Sequence, residues 1–305
     1  MAPAPPTASP ADTASPADTA APADTAAGPA VRRSVVRFTR DGCPLGPSEE
    51  RWLREGLIAA LPDLRMAQLF ALRPGLLREA EHLVVGVERD SGQPVSALGA
   101  SWERTTGGRR FLHIGVQFVA ATLRGGQVFS TSWLALLEEV IATGGFPVLS
   151  ALRTYNPVAY CAMRAYGELP GAVMYPRVAR PAAATARPCG RDGSVPGGGS
   201  APGGRPSAGD PVDHDRGVRA LAGEIAATLA PGAAFDPASG LLAGIGVPRD
   251  LYRERPLGAD AAVNAHFARY TSPGDRILCA VHVHDPATAD AIVANFERRS
   301  ARSST

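Results

Sequence analysis

The 305-residue chain carries 31 basic and 29 acidic residues, a formal charge of +2, too near neutral to draw nucleic acid by field alone. Every basic residue is Arg, and the absence of Lys excludes Schiff-base chemistry and the phosphate-binding lysine of a Walker A loop. No run reaches the roughly 18 apolar residues of a membrane helix, and Cys43, Cys161, Cys189 and Cys279 form no C-x-x-C pair, so a cytoplasmic protein with reduced thiols, no structural zinc and no membrane partner is expected.

Residues 1–30 are almost wholly Ala, Pro, Ser, Thr and Asp and repeat Pro-Ala-Asp-Thr-Ala at 10–14, 16–20 and 22–26. With no apolar face to bury, such a segment does not offset its ordering entropy and reads as a solvated tail. A six-residue period is too short for a solenoid, and the segment lacks the basic start and apolar run of a secretion signal.

The chain then alternates between periods. Residues 47–61 predict a helix with Trp52, Leu53, Leu57, Ile58 and Leu61 on one stripe, and 66–77 a second, interrupted at Pro74. Strands are predicted at 83–87 and 95–102 around the turn Asp90-Ser91-Gly92, and at 111–119, with Ile114, Val116 and Phe118 on one face. Residues 125–143 form the longest helical pattern, with Trp133, Leu136, Leu137, Val140 and Ile141 on its stripe and Gly144-Gly145 at its end. A strand at 146–152 precedes a well-delimited helix: Asn156 is an N-cap, Pro157 suits the first turn, and Gly167 suits a left-handed stop. A strand at 173–178 completes a first part, 31–178.

A Gly/Pro/Ala/Arg-rich stretch over 179–212 reads as a flexible connection. The second part, 213–299, predicts helices at 215–229, 258–270 and 286–298 and one strand at 276–284. One strand cannot pair its own backbone, so Ile277, Cys279 and Val281 are expected to join the sheet of the first part. Three meandering strands followed by β-α-β units predict a mixed, mostly antiparallel α/β sheet with helices on both faces, plus a C-terminal extension.

Two motifs resemble the GNAT superfamily of N-acetyltransferases. The first is Val119-Ala-Ala121-Thr-Leu-Arg124-Gly125-Gly126-Gln127-Val128, between a strand and the longest helix. It is similar to the family's Arg/Gln-x-x-Gly-x-Gly/Ala turn, whose backbone N–H groups hold the pyrophosphate of acetyl-CoA. The general reason is that a helix start leaves four N–H groups unpaired and carries partial positive charge, and Gly lets a phosphate approach. Arg124 and Gly125 match; Gln127 stands where Gly is expected and Phe129 where Gly or Ala is. The second is Asn156-x-x-Ala159 with Gly167 eight residues on, which resembles the family helix beside the thioester. Met163 stands in place of the family Tyr that protonates the departing thiolate, and Glu168 in place of a Phe.

The resemblance implies an acyl-CoA-dependent transferase acting on a small-molecule or protein amine, with acetyl-CoA as donor substrate and no metal. His113, six residues before Val119, is the first candidate base, opposite the apolar face of its strand, and Glu103 the second. Tyr160 and Tyr166 flank Met163 as candidate acids. His282 and His284 share a strand face but lack a third ligand nearby in sequence. The altered turn and Met163 leave a second reading open, a catalytically degenerate GNAT-fold binding or regulatory module. The acceptor has no readable code.

Overall fold

A computed structural model describes residues 33–124, 127–179 and 211–301; the expected tail, the turn glycines Gly125 and Gly126, and most of the expected linker lie outside the described residues. β1 (Arg33–Thr39), which carries Val35, Val36 and Phe38 among polar residues, pairs antiparallel with β2 (His82–Glu88) along its whole length. Between them lie α1 (Pro47–Ala60) and α2 (Met66–Leu72). The sequence expectation interrupted the 66–77 helix at Pro74, and α2 ends just before it. It stops because Arg73, which precedes Pro74, adopts φ −130°, ψ 66°, as the ring of a following proline demands.

β3 (Pro94–Arg104) and β4 (Arg110–Val119) continue the antiparallel meander. Their register shifts between Gly99 and Ala100: Gly99 faces Val116 while Ala100 faces Ile114, so Gly115 bulges out of the ladder. This corrects the expectation that Ile114, Val116 and Phe118 share a face. Ile114 belongs to one core and Val116 to another on the opposite side of the sheet, because an extra residue reverses the alternation beyond it.

α3 (Gln127–Gly144) leads into β5 (Leu149–Thr154), the parallel neighbour of β4. α4 (Pro157–Gly167) and β6 (Ala172–Tyr175) follow. After the undescribed stretch come α5 (Pro211–Leu229), the two-residue strands β7 (Phe235–Asp236) and β8 (Leu241–Leu242), α6 (Ala261–Tyr270), β9 (Arg276–Val283) and α7 (Pro286–Ala301). The sheet order is β1-β2-β3-β4-β5-β9-β8-β7. β9 lies against β5 on one edge, and its other edge is shared by β6 at Ala280–Val283 and β8 at Arg276–Ile277.

Helices cover both faces. On the first face α3, α4, α6 and α7 close a core that includes Leu112, Ile114, Leu136, Tyr160, Phe267 and Cys279. On the second face α1 and α2 cover the β2–β4 half, and α5 covers Phe111, Ala151, Leu278 and Ala280. Leu136 and Val140 of α3 are fully buried, each contributing about 1.5–3 kcal/mol from removal of its surface from water.

Gly167 is required by packing rather than by a left-handed stop. It is the last residue of α4, and a Cβ there would run into the Cβ of Met174 on β6 and come within 3.2 Å of its Cα. Among the described residues no helix is long and apolar enough to cross a membrane.

Candidate functional site

The parallel β4–β5 ladder is short. It pairs Leu112 with Ser150, His113 with Ala151 and Ile114 with Leu152, and then stops. Past the Gly115 bulge the two strands separate, and the gap opens into a cavity of about 530 Å³. Its β4 wall carries Gly115, Gln117 and Val119, and its β5 wall Arg153 and Thr154.

The first turn of α4 is fixed beside this gap by its own polar residues. The Asn156 N–H donates to Thr154 Oγ1 (2.9 Å), and the Asn156 side-chain oxygen accepts from the Val158 N–H (2.9 Å), an N-cap that removes one orphan donor of the helix. The helix then shows the cavity Ala159, Ala162 and Tyr166, spaced at one face of a 3.6-residue repeat. The small side chains leave room along the helix. Its other face, with Tyr160, Met163 and Gly167, is buried.

The far wall comes from the C-terminal part. Ile245, Gly246, Val247, Leu251, Tyr252 and Arg276 line it. The 251–253 segment is stitched to the α1–α2 loop: Arg65 N–H donates to Leu251 O (2.8 Å), Arg253 N–H to Asp63 O (3.1 Å), and Arg253 Nε to Pro62 O (2.9 Å). Leu61 and Leu64 of that loop line the same cavity.

The candidate residues are distributed unevenly. Val119, Arg124, Asn156, Ala159 and Tyr166 line the cavity. The guanidinium of Arg124 is bidentate to Asp63 (2.6 and 3.1 Å), and its Nε donates to Val119 O (3.2 Å), so its side chain braces the turn against the α1–α2 loop. Ala121 sits in a 3-10 turn (Ala121–Leu123), exposed and off the cavity wall. Gln127 and Val128 occupy the first turn of α3, and Gly125 and Gly126 lie outside the described residues.

Tyr160 does not reach the cavity. Its side chain is fully buried, its hydroxyl donates to Pro176 O (2.7 Å) and accepts from the Val178 N–H (3.1 Å), and burial drives its pKa well upward. A hydroxyl held by two backbone groups and far above its ordinary pKa is a poor proton donor to a ligand. Met163 is a core residue. Of the two candidate acids, only Tyr166 faces the cavity.

His113 is corrected in a similar way. Its ring lies on the second face with Phe111, off the cavity wall, and burial together with the charge of Arg153 pushes its pKa down to about 3. A base that weak does not deprotonate an ammonium near neutral pH. Glu103 pairs with Phe111 in the β3–β4 ladder and is likewise off the wall. Among the described residues no Asp, Glu or His lines the cavity, and none of the groups of His, Cys, Asp and Glu has the three members a metal site needs. The His282 and His284 rings lie 6.3 Å apart.

Reading the sequence missed the residues that arrive from a distance: Tyr155, Tyr252, Arg153 and Arg276. The Tyr155 and Tyr252 rings meet at a tilt of 39° with centroids 5.7 Å apart, and Tyr252 also hydrogen-bonds Asn156. The assignment of 276–284 to the main sheet was the one available signal, since it carries Arg276 to the β5 edge.

An open sheet with a splayed parallel pair and a cleft at the splay defines the class of architecture, and the chain is similar to solved structures of the GNAT family. These include a GNAT acetyltransferase from Brucella melitensis in complex with acetyl-CoA (13% identity over 40% of this chain and 75% of that one, TM-score 0.30). A GNAT N-acetyltransferase from Escherichia coli in complex with CoA gives 16%, 47%, 76% and 0.32, and a probable N-acyltransferase from Enterococcus faecalis 18%, 45%, 32% and 0.33. Each likeness spans under half of this chain, and the match covers only about a third of the Enterococcus chain. No family model matches the sequence, and no curated protein does.

Proposed function

We propose that this chain is an acyl-CoA-dependent N-acetyltransferase, moving an acetyl group from acetyl-CoA to the amine of a small molecule or protein in the cytoplasm. The observation that carries this reading is the separation of β4 from β5 after three residue pairs, beside the small-residue stripe of α4. The β4 edge that faces the gap offers backbone groups to an extended, amide-containing chain, as a strand edge does to a peptide. Ala159 and Ala162 give that chain passage, and the start of α3 supplies N–H groups and partial positive charge for phosphates.

Catalysis in this reading is mostly alignment of the amine with the thioester. The acceptor enters as the neutral amine, because no carboxylate or imidazole among the described residues lines the cavity. Attack by the amine on the acetyl carbonyl forms the C–N bond as the C–S bond breaks; in this reading the Tyr166 hydroxyl gives its proton to the departing thiolate and regains one from the positively charged nitrogen, leaving amide and free thiol.

A second reading, a catalytically degenerate module, is favoured by that same lack of a base together with the burial of Met163. Calorimetry with acetyl-CoA and desulfo-CoA separates the two. The enzyme reading expects both to bind and Ala159→Phe, which fills the passage, to weaken both at least tenfold. Binding without turnover across an amine panel supports the module, and no binding of either removes the donor from both readings.

A further inference from the structure

Arg153 and Arg276 project from the same face of adjacent strands. β5 and β9 are antiparallel with Arg153 opposite Leu278, so Arg276, two residues away on β9, is its diagonal neighbour, at the 7–8 Å spacing that long side chains bridge. Both line the cavity, as does Arg73 from the end of α2. Arg73 forms an ion pair with Glu79. Arg153 donates to Leu229 O (2.5 Å) and Arg276 to Asp275 O (2.7 Å), and among the described residues neither makes an ion pair. The Arg276 guanidinium lies directly against Gly246, where any side chain would collide with it. The far wall is thus shaped around this cation.

Half-buried like charges on neighbouring strands with no ion-pair partner are unfavourable for the empty fold. Burial lowers the pKa of both guanidinium groups, and for Arg153 the charges of Arg73 and Arg276 add to it, whereas the neighbouring Tyr252, Tyr155 and Asp275 work the other way on Arg276. The charges acting on Arg153 are Arg73 and Arg276 against Glu79 and Glu103.

We infer that Arg153 and Arg276, with Arg73 beside them, bind a carboxylate on the acceptor, so that the substrate is an amine carrying a carboxylate and an apolar or aromatic body. This rests on the transferase reading only for the amine. The carboxylate is held by the guanidinium forks, which suit its planar pair of oxygens. The body lies against Tyr155, Tyr252 and Leu251. The anion also relieves the repulsion between the two guanidinium groups.

The test uses the full chain without acetyl-CoA and three probes sharing a phenyl ring: 3-phenylpropionate, phenethylamine and phenyl phosphate, read by calorimetry and thermal shift at millimolar concentration. The expected result is binding of 3-phenylpropionate above the other two. Arg276→Met should weaken it at least tenfold and leave acetyl-CoA binding within twofold. Arg276→Gln, which keeps polarity without charge, should lose the same binding and serves if the Met variant does not fold. The inference is overturned by phenethylamine or phenyl phosphate binding at least as tightly as 3-phenylpropionate, by no binding of 3-phenylpropionate, or by unchanged binding in both variants. A parallel tenfold loss of acetyl-CoA affinity would also overturn it, assigning these arginines to the donor. Because the carboxylate arm contains no CoA, it stands or falls separately from the transferase reading.

Discussion

Replacing Tyr160 with Phe separates a structural hydroxyl from a catalytic one. The Tyr160 hydroxyl joins two backbone groups, Pro176 O at 2.7 Å and the Val178 N–H at 3.1 Å, at a site with no solvent exposure. Each such bond contributes about 0.5–1.5 kcal/mol net, and a buried donor left without a partner costs about 1–3 kcal/mol. The variant should therefore lose about 2 kcal/mol. At roughly 2–4 °C per kcal/mol for an ordered unit of this size, the melting temperature should fall by about 4–8 °C. Thiol release from acetyl-CoA, measured with the best amine of a panel well below the melting temperature, should stay within about twofold of the parent. Tyr166→Phe should give the inverse: a small change in melting temperature, and a turnover lowered on the order of 10²-fold, the low end of what a positioned acid supplies. The reasoning fails if Tyr160→Phe melts within about 1 °C of the parent while its turnover collapses.

Gly167→Ala should destabilise by about 1–2 kcal/mol, because the clash with Met174 outweighs the roughly 1 kcal/mol that Ala gains over Gly in a helix; a higher urea midpoint would sink the packing argument. Asp260 receives the Arg164 guanidinium (2.5 Å) and caps α6 by accepting from the Ala262 and Val263 N–H groups (2.9 and 3.0 Å), which hold its pKa below the usual carboxylate range. A depressed folded-state pKa stabilises above the unfolded value of about 4 and is lost as pH falls through the folded one. Asp260→Asn should thus be less stable than the parent at pH 5–8, with the gap closing below about pH 4; a urea-midpoint difference that is the same at pH 7 and pH 3 would contradict it. Expressing 31–178 alone leaves the β5 and β6 edges without β9, and aggregated or molten material is expected; a cooperative, soluble fragment by chemical denaturation would refute that dependence.

What the sequence made legible was local. The Asn156-Pro157 start of α4 and the Trp133–Val140 stripe of α3 could be read because caps and helical periods involve residues within a few positions of each other. β1 was missed because Arg33, Ser34 and Arg37 dilute the apolar alternation of a strand at the sheet edge, where one neighbour suffices. β7 and β8, two residues each, are too short to carry a period. The Gly115 bulge was invisible to a strict period-two reading, so everything beyond it was put on the wrong face. His113 drew attention by residue type, whereas its chemistry is set by burial and by Arg153, forty positions away and brought close by the parallel pairing of β4 with β5. Tyr160 and Tyr166 are alike in sequence terms; only the packing of α4 against β6 and β9 turns one inward and leaves the other at the cavity.

The insertion of β9 between β5 and β6 also has a consequence in time. Residue 283 leaves the ribosome 108 residues after residue 175 (283 − 175), an interval of roughly 5–20 s at 5–20 residues per second. During that interval the nascent chain holds β5 and β6 with no strand between them, and the cavity lacks the wall that carries Tyr252 and Arg276. The cavity closes only once β9 has been made. An unpaired β5 edge exposed for that long is open to pairing with another chain, so a chaperone acting while residues 176–283 are synthesised should raise the yield of folded protein.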